Sequence, residues 1–255
     1  VAVAASGLAF ALAGRSSASS PAPASTPVEA AGPVIVELFS SEGCSSCPPA
    51  DTMVRELAGR DDVLALEYHV DYWDYIGWAD PFADPAYGDR QSIYARALAR
   101  GSVVTPQVVV GGQAAVGGSR RGATEAAIDR HAAAVTTPVT LRAVEGDLQA
   151  GELTLEIRAG AIDRPSEVML AITESNLRTR VLRGENAGRT LAHAPVVRQL
   201  RRVARVDAGD GYQGRARALL DPKWDRAEVD VIVFVQELGQ GPIVGAAALA
   251  RRDRS

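Results

Sequence analysis

Val34-Ile35-Val36-Glu37-Leu38-Phe39-Ser40-Ser41-Glu42-Gly43-Cys44-Ser45-Ser46-Cys47-Pro48-Pro49 is the stretch on which the fold turns. Its first six residues are a β-branched, apolar run suited to a buried strand. Ser40 to Gly43 make a turn, and Pro48 and Pro49 fall where a helix has its first turn. Proline is tolerated there because those N–H groups have no intrahelical acceptor. Met53, Val54 and Leu57 continue the helix as an apolar stripe that stops near Gly59. A C-x-x-C motif therefore opens a helix directly after a strand. A helix N-terminus favours negative charge, so Cys44 is expected to have a depressed pKa and to act as nucleophile. Cys47, one turn further in, can reach the Cys44 sulfur and resolve a mixed disulfide. Cys44 is predicted to be the exposed thiol and Cys47 the buried one. Glu42, two residues upstream, is expected to oppose the thiolate.

Outward from the motif, Val63 to Val70 read as a second strand, followed by an aromatic, acidic stretch from Asp71 to Phe82. Residues 85–100 read as a helix. Thr105-Pro106 precedes a short strand, Gln107 to Val110, which can pair with Ala114-Ala115-Val116 across Gly111-Gly112. Ala123 to Val135 close the series as a helix. The order β-α-β-α-β-β-α, with a Thr-Pro about 60 residues after the C-x-x-C, predicts an α/β thioredoxin-like fold over residues 34–135. In such folds a cis-proline lies opposite the cysteines, and the residue before it offers backbone groups to an extended substrate. A cis X–Pro bond is only modestly disfavoured, so a fold can lock it. Thr105 and Pro106 are accordingly expected to bind substrate. The Asp71–Phe82 segment follows the second strand at its carboxyl end and should border the cysteines. Its Trp73 is read either as a core cap or as part of a substrate rim.

The chain resembles a family of secreted bacterial thioredoxin-like proteins of unknown function. The resemblance is carried by Ile35 to Phe39 running into Ser41 to Asp51, by His69 to Asp74, Gly77-Trp78 and Asp80-Pro81-Phe82, and by Arg90-Gln91 and Thr105-Pro106-Gln107. It covers nearly all of residues 34–250. It implies the thioredoxin-like fold and export, and supplies no substrate.

Beyond Thr136-Thr137-Pro138 the pattern changes to alternation, as in Val139 to Ala143, Leu153 to Ile157, Val168 to Ile172 and Val229 to Val235. Strands of this kind separated by Gly, Asn and Asp turns predict an all-β sandwich-like domain over residues 136–255. The junction is only a few residues long, so the sandwich should pack rigidly on the first domain. The polar stretch Gly184 to Arg198 contains His193 and Arg198, which read as a packed loop or as partner contacts.

Residues 1–13 (VAVAASGLAFALA) are apolar, uncharged and end in small-x-small, which reads as the remnant of a secretory signal peptide. Residues 14–33, rich in Ser, Pro and Ala, read as a flexible linker. The visible apolar run is too short to span a bilayer, so no membrane span is expected in the mature form. The net charge of -4 comes without a dense basic face, which argues against nucleic acid as a partner. With two cysteines and three histidines, the sequence assigns no metal site. The leading reading is a periplasmic or secreted thiol–disulfide oxidoreductase acting on protein or small-molecule thiols through Cys44 and Cys47, with no cofactor. Two readings compete. One is a binding or scaffold module with a static disulfide; the other is a metallochaperone using Cys44, Cys47 and His69.

Overall fold

The apolar run after Gly32 forms strand β1 (Val34–Ser40), every residue of which is buried. It runs parallel to β2 (Val63–His69) and antiparallel to β3 (Gln107–Val110). The computed structural model describes residues 1–2, 32–99 and 101–249. The expected signal-peptide remnant and linker lie almost entirely outside those residues. Helix α1 (Pro48–Leu57) follows β1, with both prolines in its first turn. A 3-10 turn spans Asp71–Ile76, and α2 (Pro85–Ala97) starts at Asp84, whose carboxylate accepts from the Ala86 N–H at 2.9 Å. Strand β4 (Ala114–Gly117) pairs with β3 across Gly111 and Gly112. Both glycines have positive φ, and a Cβ on Gly111 would lie 2.1 Å from the His131 ring, so only glycine fits there. Helix α3 (Arg121–Ala132) completes the predicted order.

The architecture departs from the predicted class at the outer edge of β2. Residues after 136 form β5 (Val139–Asp147), β6 (Glu152–Ala159), β7 (Ser166–Glu174), β8 (Arg178–Arg180), β9 (Thr190–Ala192), β10 (Val196–Val206), β11 (Tyr212–Leu219), β12 (Val229–Glu237) and β13 (Ile243–Ala248). Strand β10 pairs parallel to β2, Val196 opposite Glu67, and continues into β7, β12 and β13. Among the described residues the result is one mixed eight-stranded sheet, in the order β13-β12-β7-β10-β2-β1-β3-β4. A second sheet, β11-β6-β5, covers one face of its later part. The prediction of an α/β thioredoxin-like fold followed by an all-β sandwich-like domain is therefore overturned. Strand dominates helix, and the sheet runs straight across residue 136. The physical reason is that the later part of β2 is buried, and β10 joins its edge there, the Glu67 N–H finding its acceptor in the Pro195 carbonyl at 2.8 Å.

The cores show the same continuity. Val34, Val36 and Leu38 pack against Met53, Val54 and Leu57 of α1 and Ile128 of α3. On the other face, Ile35, Phe39, Leu66 and Tyr68 share one cluster with Met169, Ala171, Ile232 and Phe234. Val168, Leu170 and Ile172 meanwhile join Leu153, Leu155 and Ile157 under the smaller sheet. At the junction itself the Thr136 and Thr137 N–H groups both donate to the Val244 carbonyl at 3.0 Å.

Candidate functional site

The turn after β1 delivers Cys44, and Cys47 sits at the residue immediately before α1. Both are free thiols. Cys47 is buried as predicted, but Cys44 is also only 1% exposed, a correction to the expectation that it stands open. The exposed residues are the two between them, Ser45 and Ser46. The loop between β8 and β9 closes this side. Asn186 Nδ2 donates to the carbonyls of Glu42 (2.8 Å) and Cys44 (3.0 Å), and Glu185 accepts from the Ser45 N–H at 3.0 Å.

The Thr105–Pro106 peptide is cis and stands against the cysteines. The Thr105 carbonyl lies 3.7 Å from Cys44 Sγ. Trp73 Nε1 donates to Thr105 Oγ1 at 2.7 Å, which leaves the Thr105 hydroxyl proton free to turn toward the sulfur. Ser46 Oγ is 3.2 Å from Cys44 Sγ on the other side. The structure thus brings Cys44, Cys47, Thr105, Pro106 and Trp73 together, and the Asp71–Phe82 segment does border the cysteines. Trp73 is half-buried beside Gly43, while Tyr75 and Val104 are exposed around it.

The two thiols differ in acidity. A hydrogen bond from Cys47 lowers the Cys44 pKa to about 6, against the opposing effect of burial and with help from Ser46 and Thr105. Burial, reinforced by Cys44, pushes Cys47 far above the ordinary thiol value. The thiolate is the nucleophile, so alkylation of the reduced protein by iodoacetamide should accelerate as pH rises through about 6 and level off near pH 7 to 8. The label should fall on Cys44. A rate that only begins to rise near the ordinary thiol value of about 8.5 would show that these hydrogen bonds do not hold the anion.

Glu42 does not oppose the thiolate as expected. Its carboxylate turns away, accepting from Trp78 Nε1 at 2.7 Å and lying 3.2 Å from His193 Nε2. Behind it lies a buried polar cluster that the sequence reading did not assemble. Asp51 of α1 accepts from Ser40 Oγ at 2.6 Å, and burial with the neighbouring Glu67 pushes its carboxyl well above the usual range. His69 is fixed by Asp80, Nδ1 to Oδ2 at 2.7 Å. Burial opposes its charged form, but Asp80 and Glu67 prevail and its pKa is raised well above the histidine norm. Among the described residues, the metal-capable group that includes His69 is completed by Glu67 and His193 rather than by the cysteines. The one available signal was Glu67 and His69 at i and i+2 on a single face of an otherwise apolar strand. Arg198, the other polar residue noted in the Gly184–Arg198 stretch, stacks over Phe82 and Trp224.

Fold and site together define a mixed β-sheet protein with a C-x-x-C motif set against a cis-proline. The chain belongs to the family described as "Protein of unknown function (DUF1223)", which matches residues 35–236. Protein AGR_C_4864 from Agrobacterium tumefaciens, a crystal structure, is similar to it at 29% identity and a TM-score of 0.65, over 86% of this chain and 94% of that one. A mutant of Bacteroides uniformis beta-glucuronidase 2 matches at 13% identity and a TM-score of 0.24, over 43% of this chain and 12% of that one, a likeness too slight to bear on function. No curated protein matches the chain.

Proposed function

We propose that this protein is a thiol–disulfide oxidoreductase acting outside the cytoplasm on protein or small-molecule thiols and disulfides. The observation that carries the reading is the placement of Cys44 Sγ 3.7 Å from the carbonyl that precedes a cis-proline, with its pKa lowered to about 6. The relation to the thioredoxin superfamily that we infer concerns this unit of C-x-x-C and cis-proline, not the architecture of the chain. The apolar residues 1–13 support export.

In the reductive direction the Cys44 thiolate attacks one sulfur of a substrate disulfide. A Cys44–substrate disulfide forms and the other substrate sulfur leaves as thiolate. Cys47 then loses its proton and attacks Cys44 Sγ, releasing the second substrate thiolate. The protein ends as the Cys44–Cys47 disulfide, two electrons poorer, and the substrate as a dithiol. Reversal of the same steps oxidises a dithiol. The charge of Asp51 on α1 adds to the burial that holds Cys47 protonated. Thr105 and Pro106 present backbone to an extended substrate, with Trp73 at the rim.

Near-complete burial of Cys44 favours the competing reading, a binding module with an inert pair of sulfurs. Cys47→Ala separates the two. Without a resolving thiol, an oxidoreductase accumulates substrate joined to Cys44, visible as bands that collapse on reduction and are absent from Cys44→Ala/Cys47→Ala. An absence of such adducts in extracts of the native compartment would favour the inert module.

A further inference from the structure

We infer that Glu67, His69 and His193 form a binding site for one divalent first-row transition-metal ion, buried where β2 meets β10. Glu67 and His69 lie on the face of β2 that carries Val63 and Ala65 toward α1. His193 comes from a segment 124 positions beyond His69. It is placed here because β10 adds to β2, the Glu67 N–H donating to the Pro195 carbonyl at 2.8 Å. One ligand atom from each of the three lies within 4.8 Å of the others. His69 Nε2 and Glu67 Oε1 are 3.4 Å apart. Bonds of about 2.0–2.2 Å to a tetrahedral ion place neighbouring ligand atoms roughly 3.3–3.6 Å apart, so this pair already has the required spacing.

The surroundings are those of a ligand set. His69 Nδ1 is hydrogen-bonded to Asp80 Oδ2 at 2.7 Å, which fixes the ring with Nε2 facing Glu67. Asp80 is itself held by the N–H groups of Glu42 (2.8 Å) and Phe82 (3.0 Å). A second carboxylate, Glu42, lies 3.2 Å from His193 Nε2 and is at hand to orient that ring.

The second, independent observation is what these atoms lack. Glu67, His69 and His193 are 0%, 1% and 1% exposed. Yet both Glu67 oxygens, His69 Nε2 and both His193 nitrogens lack a well-formed hydrogen bond among the described residues, His69 Nε2 facing Glu67 Oε1 at 3.4 Å and His193 Nε2 facing Glu42 Oε1 at 3.2 Å. Each such group costs about 1–3 kcal/mol when buried unmet. His193 Nε2 has Glu42 Oε1 3.2 Å away but outside hydrogen-bond geometry, and a neutral imidazole always carries one N–H to be met. A single cation satisfies one atom from each residue and brings positive charge beside three buried carboxyl groups, Glu42, Glu67 and Asp80. Two imidazoles and one carboxylate suit zinc or ferrous iron and select against calcium and magnesium, which take oxygen ligands. A cleft of about 670 Å³ is lined by His193 together with Arg55 and Asn176.

The test uses the full chain carrying Cys44→Ser and Cys47→Ser, so that no thiol competes for metal. After EDTA treatment it should take up one equivalent of Co(II), with visible d–d absorption and no sulfur charge-transfer band, and Zn(II) should displace it. Adding His193→Ala or Glu67→Gln should weaken binding about 100-fold or more, and Asp80→Asn about 10- to 100-fold. The near-isosteric Glu67→Gln and Asp80→Asn keep the test decisive if His193→Ala does not fold. Absence of stoichiometric uptake, or uptake unaffected by these substitutions, overturns the inference. Because this chain lacks both cysteines, either result is separate from the fate of the redox reading.

Discussion

Cys44→Ser is expected to lower the rate of disulfide exchange with a small fluorogenic disulfide by about 10⁴-fold or more, the scale on which loss of a catalytic nucleophile is felt. Serine nearly reproduces the size of the thiol and can keep the contacts to Ser46 and Thr105, so the fold should survive, as circular dichroism would show. What it cannot do is form the anion. The Cys44 thiolate is held at neutral pH by donors from Cys47, Ser46 and Thr105, and a serine hydroxyl there stays protonated. Cys47→Ser should behave differently, because it removes resolution and one of those donors but leaves the attacking sulfur. A single turnover should then proceed and stop at the mixed disulfide. Exchange that continues unchanged in Cys44→Ser would remove the chemistry from this motif.

Much of this site was legible because its parts are local. The β1 run, the turn, the cysteines and the two prolines specify strand, loop and helix within sixteen residues, and Gly111-Gly112 specifies a hairpin through positive φ. The cis Thr105–Pro106 followed from its position in the order of elements. The sheet order was not legible, since nothing local says which strand covers the free edge of β2. A hint was present in Val231-Ile232-Val233-Phe234-Val235. That run has no polar member, and a strand buried on both faces belongs inside a three-layer arrangement rather than in a sandwich with one wet side. Val233 indeed packs under the small sheet while Ile232 and Phe234 join the cluster around Tyr68. The burial of Cys44 escaped for the same reason. The residues that close over it, Glu185 and Asn186, come from 140 positions away and have no sequence pattern tying them to a C-x-x-C.

Arg90→Ala is expected to cost about 3–5 kcal/mol, the usual penalty for stranding one member of a buried ion pair. Arg90 projects from α2 into the sheet, where its Nε donates to Glu37 at 2.7 Å and its Nη2 to Tyr94 (3.1 Å) and Gln236 (3.0 Å). Its guanidinium also lies over the rings of Tyr68, Tyr94 and Phe234 at 5.1–5.8 Å. Truncation leaves Glu37, fully buried, with only the Tyr94 hydroxyl as donor. For a chain of this size the loss should lower the melting temperature by about 6–20 °C. Pairing it with Glu37→Leu should cost less than the sum of the two single changes, because the stranded charge goes with it. The network also ties together elements on either side of residue 136, since Glu37 is in β1 and Gln236 in β12. Unfolding of both the parent chain and Arg90→Ala should therefore follow one cooperative transition, by fluorescence and by circular dichroism alike. Two separated transitions, with only the first shifted by the substitution, would mean that the eight-stranded sheet comes apart at β2–β10 and that the halves hold independently.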